Sequence, residues 1–343
     1  MYRLDPVRVG LVGASGFVGG ELLRLLAHHP HLHVETVAGA GSASRSVAEL
    51  HPWLAADYPS LTISPVDPEK LTGLDVVFCA TPHGDAAELV ASLVGRVGLI
   101  VDCSADFRLP DPEQYRRWYG TEHPHPELLS SARYGLVELS RDALKGAKLV
   151  AVPGCYPTAA GLVLAPLIEA GLCEPDAIVD AASGVSGAGR KPSEGLSFWA
   201  VDEDFRAYGL LDHRHTPEME MVTGARILFT PHLAPMTRGI LVTCYAKAAR
   251  RMRREEPYEV LAERYRGEPF VLVTGERLPS TKATRGSNSV HMTAFADERT
   301  GTVVALAALD NLVKGAAGQA IQCANVALGI EETAGLVAGG LGP

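Results

Sequence analysis

Val7-Arg-Val-Gly-Leu-Val-Gly13-Ala-Ser-Gly16-Phe-Val-Gly19-Gly-Glu-Leu-Leu-Arg-Leu-Leu-Ala27 is the stretch that decides the fold. Its first six residues are an apolar run of strand length, Gly13 to Gly20 form a glycine turn, and Glu21 to Ala27 have the spacing of an amphipathic helix stopped before Pro30. Strand, glycine turn and helix in that order make an anion cradle, because glycines leave the backbone open and a helix start presents free N–H groups. The spacing is G-x-x-G-x-x-G rather than G-x-G-x-x-G, so a merely structural turn competes with a pyrophosphate site. The strand–turn–helix setting favours the site, with Gly13, Ser15, Gly16, Phe17, Val18 and Gly19 as its residues.

Outward from this stretch, Leu32 to Ala38, Asp75 to Ala80, Leu99 to Asp102 and Lys148 to Val152 are further short apolar runs, with a helical segment from Asp85 to Val94. Such alternation predicts an α/β fold that begins with a Rossmann-type, doubly wound parallel sheet. Past Cys155 the strands lengthen and crowd together, at Ala177 to Ala182, Arg226 to Thr230, Gly239 to Ala246, Val290 to Phe295 and Thr302 to Ala308. They predict a second, α+β domain with a largely antiparallel mixed sheet. A last helix over Asn311 to Gly329, with small residues from Gly315 to Gly318, is expected to return to the first domain. The division is therefore 1–154 plus 315–343 for nucleotide binding and 155–314 for catalysis, substrate and oligomerisation, with a loosely ordered tail from Gly335.

A chain of 343 residues with 47% hydrophobic content can bury two cores, and a formal charge of -9 argues against general nucleic-acid binding. The basic run Arg250-Arg-Met-Arg-Arg254 is followed at once by Glu255-Glu256 and reads as a solvated turn. No apolar run reaches the roughly 20 residues of a membrane span, and Met1 to Pro6 lacks a leader's apolar stretch, so a cytoplasmic location is expected. The cysteines are scattered without zinc-type spacing, and His28, His29, His31 and His33 straddle Pro30 as a solvated turn would; no metal is expected. The tryptophans Trp53, Trp118 and Trp199 read as packing residues.

The second strand ends at Ala38-Gly-Ala-Gly-Ser42-Ala-Ser44-Arg45, with no acidic residue where a ribose 2′-hydroxyl is normally held. Ser42, Ser44 and Arg45 are instead suited to a 2′-phosphate, so NADP(H) is the expected cofactor. Cys79-Ala-Thr81-Pro82-His83-Gly84 and Cys103-Ser104-Ala-Asp-Phe-Arg108 lie at strand ends on the carboxyl edge where ligands bind in such sheets. His83 reads either as a turn residue or as a cofactor contact. In Val150-Ala-Val-Pro-Gly-Cys155-Tyr-Pro-Thr158 a strand runs through a Pro-Gly turn into a helix start, which favours an anionic sulfur. Cys155 is placed to be a nucleophile, or else is a small apolar filler.

These segments, together with Thr81-Pro-His-Gly84, Asp102-Cys-Ser-Ala-Asp-Phe-Arg-Leu109, Ser183-Gly-Val-Ser-Gly-Ala-Gly-Arg190, His213-Arg-His-Thr-Pro-Glu218 and Asp310-Asn-Leu-Val-Lys-Gly-Ala-Ala-Gly318, make the chain resemble the N-acetyl-gamma-glutamyl-phosphate reductases, relatives of aspartate-semialdehyde dehydrogenase. The resemblance runs over nearly the whole chain. It implies an NADPH-dependent reduction of N-acetyl-L-glutamyl 5-phosphate in arginine biosynthesis, Cys155 as acyl acceptor, one of His213 and His215 as acid/base, and a homodimer or homotetramer. An imidazole suits the proton transfers because its ordinary pKa of about 6.5 lies near working pH. If the segment is extended, both rings project to one face, and His213 is favoured.

Glu218 either orients the imidazole, receives a substrate group, or is an ordinary first-turn helix residue. Arg108, Ser186, Arg190 and Arg238 are candidates for the anionic substrate, the last two being equally readable as surface or interface charges. Asn311 is either a helix N-cap or, by the wider resemblance, a neighbour of the nicotinamide carboxamide. Two other readings stand beside the first. One is the lysine-pathway reductase that acts on a carrier-linked 2-aminoadipate 6-phosphate; the other is a nucleotide-sensing module without turnover.

Overall fold

In the computed structural model the described residues are 6–342, so the two ends of the expected nucleotide-binding range, 1–5 (read for a leader) and 343, lie outside them. The chain divides into two compact units, one running to Pro153 and taking in Ala316–Leu336, the other covering Gly154–Gly315 and the residues from Val337 onward.

The first unit is built on β1 (Val7–Val12), β2 (Leu32–Ala38), β3 (Val76–Cys79), β4 (Leu99–Asp102), β5 (Arg133–Tyr134) and β6 (Leu149–Ala151). Their order is β2-β1-β3-β4-β6-β5, and every neighbouring pair is parallel. β3 and β4 are buried along their whole length, as continuous apolar runs in a doubly covered sheet should be. The chain goes from β1 outward to β2 and then back to β3, so strand order reverses at the carboxyl ends of β1 and β3, where open α/β sheets bind ligands.

β7 (Cys173–Gly184), β8 (Arg206–Ala207), β9 (Arg226–Ala234), β10 (Ile240–Ala248), β11 (Val271–Val273), β12 (Val290–Asp297) and β13 (Thr302–Leu309) form the sheet of the second unit. Its order is β11-β12-β13-β10-β7-β9-β8, with parallel pairing only at β11/β12 and β7/β9. Residues alternate along these strands: Val179, Phe229, Val242, Cys244, Ala305 and Met292 are buried on one face, where the helix Cys155–Glu169 packs. On the other face Leu228, Ile178 and Tyr245 lie in register across β9, β7 and β10 and are exposed.

Several local expectations are corrected. The last helix does not start at Asn311: Val313–Ala317 is a π-helical turn, and the α-helix is Gly318–Leu328. The tail is not loose, because the Asn288 N–H donates to Val337 O at 2.8 Å, Ser289 Oγ to Ala338 O at 2.6 Å and the Leu341 N–H to Arg285 O at 2.8 Å. Those bonds tie residues after Val337 to the second unit rather than to the nucleotide sheet. The histidine cluster is not a uniformly solvated turn. His29 is buried, its Nε2 lies 3.1 Å from Asn325 Oδ1, and its Nδ1 accepts the N–H groups of His31 and Leu32. Trp53 and Trp199 are exposed rather than packed. The Arg250–Arg254 run is solvent-facing as expected, and three of its four arginines are met locally, Arg250 by Glu256, Arg253 by Glu259 and Arg254 by Glu276.

Among the described residues no helix is long and apolar enough to cross a membrane, and no three of His, Cys, Asp and Glu converge as metal ligands would.

Candidate active site

In the first unit, Gly13 has φ +86, a left-handed conformation that glycine adopts without strain, and a Cβ there would be driven into the carbonyl of Ala80. A Cβ on Gly19 would likewise meet the Gly13 carbonyl and Ala14. β1 and β3 therefore close to backbone contact at their carboxyl ends. Gly16 is the N-cap of Phe17–Leu26 and places no side chain over the helix start, leaving that end open to an anion. Thr81, just past β3, has a buried Oγ1 with no hydrogen-bond partner. A vacant hydroxyl beside an open glycine cradle fits a dinucleotide.

Ser44 also has positive φ, +71, and its N–H bonds Ile63 O while the Arg45 carbonyl accepts from Ile63 N–H, so the loop after β2 is held as a short ladder. Arg45 is exposed and pairs with Glu49 at 2.7 Å. Ser104 caps the end of β4: its Oγ donates to Asp102 Oδ2 at 2.8 Å and accepts the Asp106 N–H. Burial pushes the Asp102 carboxyl up to about 7 against these bonds. Pro82 precedes His83, whose Nδ1 lies 2.7 Å from Asp106 Oδ1, so that ring is engaged by a buried carboxylate. Arg108 is buried, with Nε donating to Val152 O at 2.8 Å and Nη2 to Cys103 O at 3.0 Å; its guanidinium fastens the ends of β4 and β6.

The second unit gathers the chemistry. Cys155 is half-buried at the first position of the helix Cys155–Glu169, and Gly154 is its N-cap with extended dihedrals and no side-chain cap. Residues Tyr156 to Leu167 are all buried, which holds this helix, and so the sulfur at its start, against the sheet. The other cysteines that show a shifted thiol, Cys79, Cys103, Cys173 and Cys244, are all pushed up by burial, as inert core thiols should be.

Glu218 is buried on the helix Thr216–Thr223, and its Oε1 accepts the Gly154 N–H at 2.7 Å. Among the sequence alternatives this places the carboxylate on the turn that leads into Cys155. Gly315 reaches the same turn from the far end of the unit: a Cβ there would stand 2.7 Å from Cys155 Cβ and 3.2 Å from its Cα. The cysteine thus sits where only a glycine leaves it room.

His213 and His215 do not lie on an extended segment. Residues 214 and 215 turn into the helix, the Thr216 N–H bonding His213 O at 3.0 Å, and the ring centroids are 4.9 Å apart. Both rings meet Tyr156, the neighbour of Cys155, at 5.7 Å and 5.8 Å. His213 is further enclosed by Tyr208 and Phe229. Its Nδ1 accepts the His215 N–H at 3.1 Å, which leaves the proton of the neutral ring on Nε2. Burial, reinforced by the charge of Arg214, lowers the His213 imidazole to about 4.

That shift has a measurable sign. Between about pH 6.5 and 4 the unfolded chain protonates His213 and the folded chain does not, so folding stability falls as pH drops through this window and levels off below it. His29, lowered to about 4 chiefly by burial, acts in the same window. His213→Gln is expected to remove part of the stability lost between pH 7 and pH 4.5, on the order of 2 kcal/mol. Urea denaturation at the two pH values checks this, and an unchanged pH dependence means that the ring is not neutral in the folded protein.

Ser186 is buried in the turn Val185–Ala188, with its Oγ accepting from Asn311 Nδ2 at 2.9 Å. Asn311 Oδ1 accepts the Gly239 N–H at 2.7 Å. The N-cap alternative for Asn311 is thereby corrected, since the cap of the π-turn is Asp310, whose Oδ1 accepts the N–H groups of Leu312 and Val313. Arg238 pairs with Asp310, 3.4 Å, and Arg190 is exposed beyond the turn. Tyr156, Tyr208, Phe229 and Gly315 were missed as site residues. Only Gly315 had a signal, the small-residue run in which it stands.

Comparison with known proteins follows these boundaries. Residues 8–147 match the family described as semialdehyde dehydrogenase, NAD binding domain, and residues 155–311 match semialdehyde dehydrogenase, dimerisation domain. The chain is 44% identical to an N-acetyl-gamma-glutamyl-phosphate reductase of Magnetococcus marinus, over 96% of this chain and 97% of that one. It is 45% identical to the protein of the same name in Desulforudis audaxviator, over 98% and 100%. The chain belongs to the N-acetyl-gamma-glutamyl-phosphate reductase family. In fold it is similar to aspartate semialdehyde dehydrogenase II of Vibrio cholerae complexed with ASA, with a TM-score of 0.71 at 14% identity over 94% of this chain and 98% of that one. The aspartate semialdehyde dehydrogenase of Candida albicans with NADP gives a TM-score of 0.70 at 15% identity and the same coverage. The family includes a nicotinamide-cofactor domain, consistent with the cradle at Gly13 and Thr81.

Proposed function

We propose that this chain is a cytoplasmic enzyme that reduces N-acetyl-L-glutamyl 5-phosphate to N-acetyl-L-glutamate 5-semialdehyde, with NADPH as reductant and inorganic phosphate as leaving product. The observation that carries the reading is Cys155 at the start of a buried helix, on a turn gripped by Glu218 and next to Tyr156, whose ring meets both histidines.

The Cys155 thiolate attacks the γ-carbonyl carbon, the C–O bond to phosphate breaks, and the acyl group is left as a thioester. The helix start favours the sulfur as an anion both before attack and after release. Gly13 to Gly19 and Thr81 would hold a reduced nicotinamide, which would supply the hydride that takes the thioester to the thiohemiacetal. An imidazole of the pair, with His213 favoured, is neutral at rest, takes the thiol proton as Cys155 becomes the thiolate, gives that proton to the developing oxyanion, and takes it back as the C–S bond breaks and the aldehyde forms. Glu218 and Gly315 act through Cys155 and are positioning residues. Ser186 and Arg108 bind the anionic groups of the substrate, with Arg190 and Arg238 as outer charges and Asn311 holding Ser186 in place.

NADPH is preferred over NADH because the residues that directly follow β2 include Ser42, Ser44 and Arg45 and no acidic residue, Arg45 being steadied by Glu49. Arg45→Ala is expected to lower kcat/KM with NADPH about tenfold and leave NADH nearly unaffected, the worth of one charge-assisted contact. Equal loss with both cofactors would show that Arg45 serves the loop and not the phosphate.

Two copies pair through the open face of the second sheet, where Leu228, Ile178, Tyr245, Val304 and Phe295 stand side by side in register. The Arg250–Arg254 run gives the carrier-linked reading little support, since three of its four arginines pair with the chain's own glutamates. The test is the oxidative direction, in which N-acetylglutamate 5-semialdehyde should reduce NADP+ only when phosphate or arsenate is present. Activity confined to a carrier-linked aldehyde, or NADP+ binding with no phosphate-dependent turnover, overturns the reading.

A further inference from the structure

His51 is a fully buried polar residue of the first unit that the proposed chemistry does not use. It directly follows the short helix Val47–Leu50, into which the loop of Ser42, Ser44 and Arg45 runs. Its Nε2 lies 2.8 Å from Ala14 O. A carbonyl oxygen only accepts, so Nε2 carries a hydrogen and donates it. The same ring packs on the helix Phe17–Leu26 at Gly20, where a Cβ would stand 2.6 Å from its Cε1, and the Trp53 ring meets it edge-on at 5.1 Å. Burying a polar ring is costly unless its hydrogen bonds are made, and one of these ends on the glycine turn that forms the anion cradle.

Ala14 stands between Gly13 and Ser15 in that turn. The Ala14 N–H bonds Ala38 O at 3.3 Å and the Gly16 N–H bonds Gly13 O at 3.1 Å, so the main chain is fixed on both sides of the Ala14 carbonyl. A trans peptide directs its N–H opposite to its C=O, and none of the described peptides is cis. With its carbonyl drawn to His51, the Ala14–Ser15 peptide turns the Ser15 N–H away from the ring.

His51 is joined to the ribose loop as well. The Ser46 Oγ caps the short helix by accepting the Glu49 N–H at 3.1 Å, Arg45 pairs with Glu49, and the His51 N–H donates to Val47 O at 2.7 Å. One side chain thus connects the loop suited to a 2′-phosphate with the turn suited to a pyrophosphate. We infer that His51 is a positioning residue for the dinucleotide, holding the Ala14–Ser15 peptide with its N–H toward the pyrophosphate and keeping the Ser42 to Arg45 loop in register with that turn. The inference rests on the cofactor reading given under the proposed function.

The experiment is a calorimetric titration of the full chain with NADP+, without acyl phosphate, on the unmodified protein, His51→Phe and His51→Gln. Phenylalanine keeps a ring and removes the donor, whereas glutamine returns an N–H at similar reach. The dissociation constant is expected to rise at least about tenfold in His51→Phe and to stay within about threefold of the parent in His51→Gln. A second measurement needs no substitution and decides the matter if His51→Phe does not fold. With isotope-labelled histidine, the His51 Nε2–H is expected as a nuclear magnetic resonance signal protected from exchange with water, and it should shift when NADP+ is added. Binding by His51→Phe as tight as the parent's, equal weakening in both variants, or a signal that does not move at saturating NADP+ overturns the inference and leaves the cofactor reading intact. Absence of NADP+ binding by the unmodified protein overturns the cofactor reading, and this inference with it.

Discussion

Cys155→Ala is expected to lower the rate of acyl-phosphate reduction by at least about 10⁴-fold, the scale of loss when a covalent nucleophile is removed. Cofactor affinity should stay within twofold, because the cradle at Gly13 belongs to the other unit. The direct measurement mixes protein with acyl phosphate and no cofactor, then finds the acylated residue by mass spectrometry. Acylation at Cys155, absent in the alanine variant, is the expected outcome. An adduct on another residue, or one that persists in Cys155→Ala, removes the cysteine from the mechanism. The buried thiols make the contrast sharp, since desolvation pushes Cys79, Cys103, Cys173 and Cys244 away from the reactive thiolate form.

Gly315→Ala should have the second largest effect although its side chain reaches no substrate. The added methyl stands 2.7 Å from Cys155 Cβ, well inside contact distance, so the cysteine or the π-turn must shift. Misplacing a nucleophile by about 1 Å costs on the order of 10²-fold in rate. Overpacking of this kind costs about 1–3 kcal/mol of stability, which leaves the fold intact. The expected signature is a kcat reduced about 100-fold, with cofactor affinity preserved and slower alkylation of Cys155 by iodoacetamide. A kcat within threefold of the parent would mean that the turn at Gly154 yields freely, and that Glu218 does not hold it.

Much of this was legible in the chain because local rules and global fold agree there. Val7 to Val12 and Leu32 to Ala38 are strands as read, since apolar runs between turn residues have few alternatives. The glycine cradle was legible for the same reason. Where long-range contact decides, the reading failed. Asn311 looked like a cap by position, yet Asp310 one residue earlier takes the backbone N–H groups and frees the amide to bridge Ser186 and Gly239. His213 and His215 converge by a turn and not by strand alternation, which sequence spacing alone does not distinguish. Tyr208 and, from β9, Phe229 enclose His213, and no motif marks them. The tail looked loosely ordered because it is glycine-rich, but its bonds to residues 285–289 are main-chain, hydroxyl and guanidinium contacts that composition does not show.

The nucleotide unit is discontinuous, since its sheet is complete by Ala151 but its last helix, Gly318–Leu328, packs on β4 and on the helix Val137–Leu144. During synthesis those strands leave the ribosome long before the segment that covers them. At 5–20 residues per second the wait is roughly 10–40 s. Throughout it an apolar flank of the nascent chain stands open to water and to chaperones, so a clone ending near residue 153 should be insoluble, while one in which Ala316–Leu336 is joined directly to Pro153 should fold.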